Sequence, residues 1–238
     1  MIFKHRNTEM ELMDDPELEI GAIREILKDV NKANALLGGH RITLRAIHQL
    51  TNEYPQEEYT IVDMGCGDGS MLRKVTQYCN QQNINIKCIG VDLNENSIQI
   101  AREQSVGFPN IEYLKQDILA LNTSSFHCDI LLCTLTMHHF TDEQISIFLN
   151  KFVSLVKIGV VINDLERSKI ASFLFKMFSV FLVKTKIAKH DGLISIKSGF
   201  TKKDLAIFSR SLINMEHRIR WRWAFRYEWV MKHPQSKN

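Results

Sequence analysis

The stretch Asp63-Met64-Gly65-Cys66-Gly67-Asp68-Gly69 sets three glycines at alternate positions behind an acidic residue. Glycines spaced in this way permit a tight turn and let a ligand approach the main chain closely. Asp92 follows in Gly90-Val91-Asp92-Leu93-Asn94, and a carboxylate at a strand end can accept both hydroxyls of a ribose. Such a glycine turn is informative only with a strand before it and a helix behind it. On these residues alone a dinucleotide fits as well as any other nucleoside-bearing cofactor, because the ribose is recognised whichever molecule carries it. The five cysteines, Cys66, Cys79, Cys88, Cys128 and Cys133, show neither paired metal spacing nor the density of a disulfide scaffold. They read as buried small hydrophobes of a reducing compartment.

These residues need elements to position them. Thr60–Met64 reads as a strand before the glycine turn and Ser70–Gln81 as a helix after it, with Leu72, Val75 and Cys79 on one face. The alternation continues through strand Ile86–Asp92, a helix capped by Asn94 and ending near Gly107, and strands Ile111–Leu114 and Asp129–Thr134. A helix opened by the capping box Thr141/Gln144 and a strand Gly159–Asn163 follow. This predicts βαβ units and a mostly parallel α/β sheet with helices on both faces. Right-handed crossovers then gather residues 63–69, 92–94, 117–118, 134–140 and 163–168 along one edge, where open α/β sheets bind ligands. Helices Leu18–Leu37 and His40–Asn52, divided by Gly38-Gly39, form an N-terminal helical extension over 10–54. A helix over Lys169–Lys184 begins a lid inserted over 168–200, Thr201 with Asp204 starts another helix, and two strands turning near Trp223 fill about Met215–Met231. A single domain over 1–238 is expected.

Val62 to Gly69 resembles the first motif of class I methyltransferases, which use S-adenosyl-L-methionine; Gly90 to Asn94 resembles their second, and Gln116-Asp117-Ile118 the segment that contacts adenine. The resemblance implies a Rossmann-like sheet and places Asp63 near the methionine part of the cofactor, with Gly65, Cys66, Gly67 and Gly69 along its sulfonium side. Asp92 and Leu93 would meet the ribose, Asp117 the adenine amino group, Ile118 the ring, and Leu135 would lie over the ligand. Thr134-Leu135-Thr136-Met137-His138-His139-Phe140 resembles small-molecule carbon- and oxygen-methyltransferases of the quinone-biosynthesis type. It lacks the Asn/Asp-Pro-Pro-aromatic segment of nucleic-acid amino-methyltransferases. Leu36 to His40, Val161 to Ser168 and Lys189 to Gly192 look like a bacterial group associated with polyketide and other secondary pathways. The implied reaction is O-methylation of a small hydrophobic phenol or enol. C-methylation of a quinol or polyketide-like acceptor, a binding module without catalysis, and methylation of RNA are the alternatives.

An acceptor oxygen needs a base, and a neutral imidazole takes a proton near neutrality. His190, beside Asp191 and Gly192, is the expected base if the glycine turns the chain into the mouth of the site; His139, His138 and His40 are the other candidates. His138 also reads as a hydrogen-bonded residue that closes the loop after the fourth strand. Asn163-Asp164 resembles part of a metal-dependent catechol-type ligand set, but Thr134 to Phe140 offers no acidic partner, so a reaction without metal is expected. Acceptor contacts are expected from His40, Asn163, Arg167, Phe173 and Met177, with an Arg167–Glu166 ion pair between lid and sheet as the structural alternative. In the 169–183 helix Ser172, Lys176 and Ser179 form one narrow polar stripe. Its wide apolar surface must cover something: acceptor, the first helices, a second copy, or a membrane surface.

Trp221, Trp223, Phe225, Tyr227 and Trp229 alternate with Arg220, Arg222 and Arg226. Single-stranded nucleic acid stacks on such a pattern, but strand periodicity accounts for it more simply. Lys and Arg (30) against Asp and Glu (27) leave a net charge of +3 over 238 residues, too little to imply a polyanionic partner. Met1 to Glu9 lacks the apolar stretch of a secretory signal and no run is long enough to span a membrane, so a cytoplasmic monomer or homodimer is expected.

Overall fold

The computed structural model describes residues 3–121 and 127–234. Parallel strands β1 (Glu58–Met64), β2 (Asn85–Asp92), β3 (Ile111–Lys115), β4 (Cys128–Thr134) and β5 (Val156–Leu165) are joined by antiparallel β6 (Glu216–Arg222) and β7 (Arg226–Lys232). The order is β3-β2-β1-β4-β5-β7-β6. Strand order reverses at β1, so the crevice for a ligand opens beyond the carboxyl ends of β1 and β4. Strand β5 runs past the expected Asn163 to Leu165 because β7 pairs with it as far as Leu165↔Arg226.

Alternate residues of each strand feed two cores. Ile61, Ile130 and Val161 meet Ala46, Ile47 and Leu50 of α2 (Gly39–Glu53) and Leu72 and Val75 of α3 (Ser70–Gln81). On the other face Val62, Leu131 and Ile162 meet Phe148 and Phe152 of α5 (Asp142–Leu155) and Leu205 of α8 (Lys202–Ser209). Each such Val, Leu, Ile or Phe side chain contributes about 1.5–3 kcal/mol when fully buried, so the strand ends are held from both sides. Asn94 caps α4 (Glu95–Gln104) by accepting from Ser97 N at 3.0 Å, and both Thr141/Gln144 and Thr201/Asp204 form capping boxes. All five cysteines are free and buried.

The insertion after β5 holds α6 (Lys169–Leu182) and α7 (Lys186–Ser198), which pack on each other and on α1 (Ile20–Leu36). One expectation is corrected here. Gly192 makes no sharp turn: it lies inside α7, where a Cβ would stand 2.3 Å from Phe175 Cζ, so the glycine lets α6 approach. The apolar face of α6 is the uncovered one. Ala171 and Ser179 face inward, while Phe173, Met177, Phe178, Val180 and Phe181 are exposed. No described helix is long and apolar enough to cross a membrane.

Ahead of α1, an N-terminal arm crosses the carboxyl edge of the sheet. Arg6 donates to the carbonyls of His138 (3.0 Å), Phe140 (2.9 Å) and Ser198 (2.9 Å) and pairs with Asp142 at 2.6 Å. Leu12 N and Met13 N donate to the Asp191 carboxylate at 3.0 and 2.9 Å.

Candidate active site

The glycine turn after β1 has the geometry its sequence implies. Gly65, Gly67 and Gly69 all have positive φ (76°, 53° and 73°). A Cβ on Gly65 would stand 2.2 Å from the Thr136 side chain. Gly67 N donates to Asp92 Oδ2 at 2.8 Å and Asn94 N to Asp92 Oδ1 at 2.9 Å, so this half-buried carboxylate is fixed at the end of β2. Burial raises its pKa; the two N–H donors oppose the rise, and the charge of nearby Asp14 adds to it. Leu93 beside it is 64% exposed, an apolar surface at the strand end.

Asp63 is buried with Oδ1 unpartnered, and burial followed by the Asp92 charge holds its carboxyl well above the usual range. Cys66, within the turn, is also buried. Asp117 accepts from Leu119 N at 2.8 Å and so caps a short turn. Ile118 belongs to the buried cluster that includes Val62 and Val91. Leu135 has φ +55° without being glycine, and its N–H donates to Asn163 O at 3.0 Å. Strain of this kind at a strand end is a frequent mark of a functional site.

Two polar clusters lie on opposite faces of β5. On the α2 face, Asn163 Nδ2 donates to Gly39 O (2.9 Å) and to Thr43 Oγ1 (3.1 Å). Around this knot several buried atoms have no partner: Asn163 Oδ1, Asn34 Oδ1, His40 Nε2, and Nε and Nη1 of Arg226. The His40 pKa is lowered by burial and by the positive charges of Lys74 and Arg226, against the pull of Asp68.

On the other face, His138 Nδ1 lies 2.6 Å from Asp164 Oδ1 and its Nε2 3.4 Å from Glu11 Oε1. His139 Nδ1 lies 3.0 Å from Asp14 Oδ2. Burial alone would lower the His138 pKa, but Asp164 and Glu11 together outweigh it and push it up to about 10. The two carboxylates thus favour the imidazolium form of His138, which makes it a poor proton acceptor. Ligand atoms of Glu11, His138 and His139 come within 4.8 Å of one another.

His190 lies exposed on α7, 3.0 Å from Asp191, whose carboxylate also holds the arm. Arg167 serves the scaffold rather than an acceptor: it donates to Gly199 O (2.7 Å) and Phe3 O (3.2 Å) and pairs with Asp204 (2.9 Å). Glu166 meets Trp221 Nε1 at 2.9 Å instead of Arg167. Phe173 and Met177 face solvent and line no enclosed site. The sequence reading missed Glu11, Asp14, Asp164 and Arg226 as members of these clusters.

Residues 61–159 match the family described as a methyltransferase domain. No curated protein matches the chain in sequence. Among solved structures, the chain resembles the plantazolicin methyltransferase BpumL in complex with SAH, at 15% identity over 91% of this chain and 97% of that one, with a TM-score of 0.65. A SAM-dependent methyltransferase from Aquifex aeolicus matches at 14% identity over 92% and 100%, with a TM-score of 0.61. Magnesium protoporphyrin IX methyltransferase (ChlM) from Synechocystis PCC 6803 with bound SAM matches at 14% identity over 88% and 84%, with a TM-score of 0.56. At these identities the likeness is one of fold.

Proposed function

We propose that this chain, an S-adenosylmethionine-dependent methyltransferase of the class I fold, methylates an oxygen of a small apolar phenol or enol, with His40 as the base. The observation that carries this reading is His40 itself: a half-buried imidazole in the first turn of α2, with Nε2 buried, unpartnered and biased toward the neutral form. It adjoins Gly39, whose carbonyl is held by Asn163 at the end of β5.

The cofactor site has the parts such a ligand needs: a turn of left-handed glycines, the fixed Asp92 carboxylate for ribose hydroxyls, Leu93 as an apolar contact, and the unpartnered Asp63 Oδ1. When bound there, S-adenosylmethionine supplies an electrophilic methyl group on sulfur. His40 takes the proton of the acceptor hydroxyl at Nε2, and Asn163 and Thr43 hold the first turn of α2 in place. Excluding water and aligning the oxygen supply much of the rest.

Substituting His40→Gln tests the role. With labelled cofactor and a panel of phenols of graded acidity, the rate should fall about 10²–10⁴-fold for acceptors neutral at the assay pH and far less for those already ionised. His190→Gln and His139→Gln should stay near the wild-type rate. Wild-type turnover of neutral phenols by His40→Gln would end His40's candidacy, and label found on carbon would replace O-methylation by C-methylation.

A further inference from the structure

We infer that the acceptor carries a carboxylate next to its methyl-accepting hydroxyl, and that Arg226 receives it. The inference rests on the acceptor site proposed around His40. Arg226 opens β7 opposite Leu165, on the same face of the sheet as Asn163, which pairs with Glu228 two residues on. Its side chain is buried, 3% exposed, yet Nε and Nη1 have no partner. A buried guanidinium keeps its charge and demands an anion or a full set of acceptors.

The nearby carboxylates are occupied elsewhere. Asp164 holds His138 Nδ1 (2.6 Å) and Leu165 N (2.7 Å). Glu228 takes Arg222 (2.7 Å) and Arg218 (3.3 Å), and Glu166 takes Trp221. Asp164 supports the charge of Arg226 from a distance against burial, which lowers its pKa to about 10 and still leaves it cationic near neutrality.

Gly39 brings the first turn of α2 against these groups: a Cβ there would stand 1.8 Å from Asn34 Oδ1 and 3.0 Å from Arg226 Cζ, so only a residue without a side chain lets both pack this closely. His40 is the next residue, and its Nε2, like Asn163 Oδ1, is buried without a partner. A rotated Asn34 amide could accept one Arg226 proton, but a neutral amide leaves the charge uncompensated. A carboxylate matches the planar fork with paired hydrogen bonds. With that group on Arg226 and the base one residue from Gly39, the hydroxyl to be methylated belongs close to the carboxylate, as in an ortho-hydroxyaryl acid or the enol of a β-keto acid.

The test compares 2-hydroxybenzoate, its methyl ester and phenol as probes, each titrated by calorimetry into the full chain with S-adenosylhomocysteine present. Wild type should bind the acid about 10- to 100-fold more tightly than the other two. Arg226→Gln should lose that preference and Arg226→Lys keep part of it. Folding of both variants is checked by thermal unfolding and by their affinity for S-adenosylhomocysteine. His40→Gln should keep the preference for the acid, so a failure of the base assignment appears in its rate and leaves the Arg226 result readable. Equal affinity of wild type for acid and phenol, no binding of the acid, or an undiminished preference in folded Arg226→Gln would each overturn the inference.

Discussion

Asp92 is the residue at which motif and structure agree most closely. Both of its oxygens already accept a main-chain N–H, each keeping a further lone pair for a ribose hydroxyl. Asp92→Ala should weaken S-adenosylmethionine binding by about 1–3 kcal/mol in calorimetry; an unchanged Kd in a folded variant would take Asp92 out of the site. His138 gives a prediction about pH. Its folded pKa, about 10, lies above the ordinary value, so its contribution to stability is full below about pH 6.5 and is lost as pH rises through 10. The Glu11 and Asp164 pKa values are lowered, each despite the opposing effect of burial, by their pairing with the imidazolium, so their contribution is lost in acid. Thermal unfolding should therefore show its highest stability between about pH 5 and 6.5, a fall in acid, and a steady decline from about pH 6.5 to 10. His138→Ala should cost about 3–5 kcal/mol in urea unfolding, because two buried carboxylates lose their partner; an alkaline limb that persists in this variant would contradict the assignment. Asp92 and the glycines were legible because their chemistry is local. Glu11 was not: it meets His138 from far along the chain, out of an acidic stretch with no period to read.

Among the elements, the alternating strands and helices of the sheet were legible to within a few residues, since each carries its own periodicity or cap. The insertion was not. Gly192 reads as a breaker in isolation, yet the packing of Phe175 over it keeps α7 helical. Gly192→Val should push α6 away and destabilise the fold by about 1–3 kcal/mol in denaturant titration. Phe181→Ala, on the opposite side of α6 and 82% exposed, should change stability by less than about 0.5 kcal/mol. Comparable losses for the two variants would mean that the outer face of α6 is covered. The stripe of Ser172, Lys176 and Ser179 does not mark the solvent side of α6 as polarity alone would suggest. In the fold Ser172 and Ser179 turn toward the protein, where Ser179 Oγ bonds Lys176 O at 3.3 Å and small side chains allow close approach.

At the scale of the whole molecule, the arm ahead of α1 and the α6–α7 insertion close over the same edge of the sheet. Arg6 joins them, with its guanidinium 4.4 Å from the Phe200 ring centroid and its donors on the loop after β4. Arg6→Ala should make the arm the first site of limited proteolysis while the sheet stays intact, at a cost of about 1–3 kcal/mol. Cleavage no faster than in wild type would mean that Glu11 and Asp191 hold the arm without it. The arm also imposes an order in time. It leaves the ribosome before its partners do, since every partner of Arg6 lies at residue 138 or later. Domains emerge from the N-terminus at a finite rate, and long loops close at an entropic cost. The arm is thus seated only after residues far behind it are made, and during synthesis the nascent sheet exposes its carboxyl edge until the far half of the chain arrives to hold the cover.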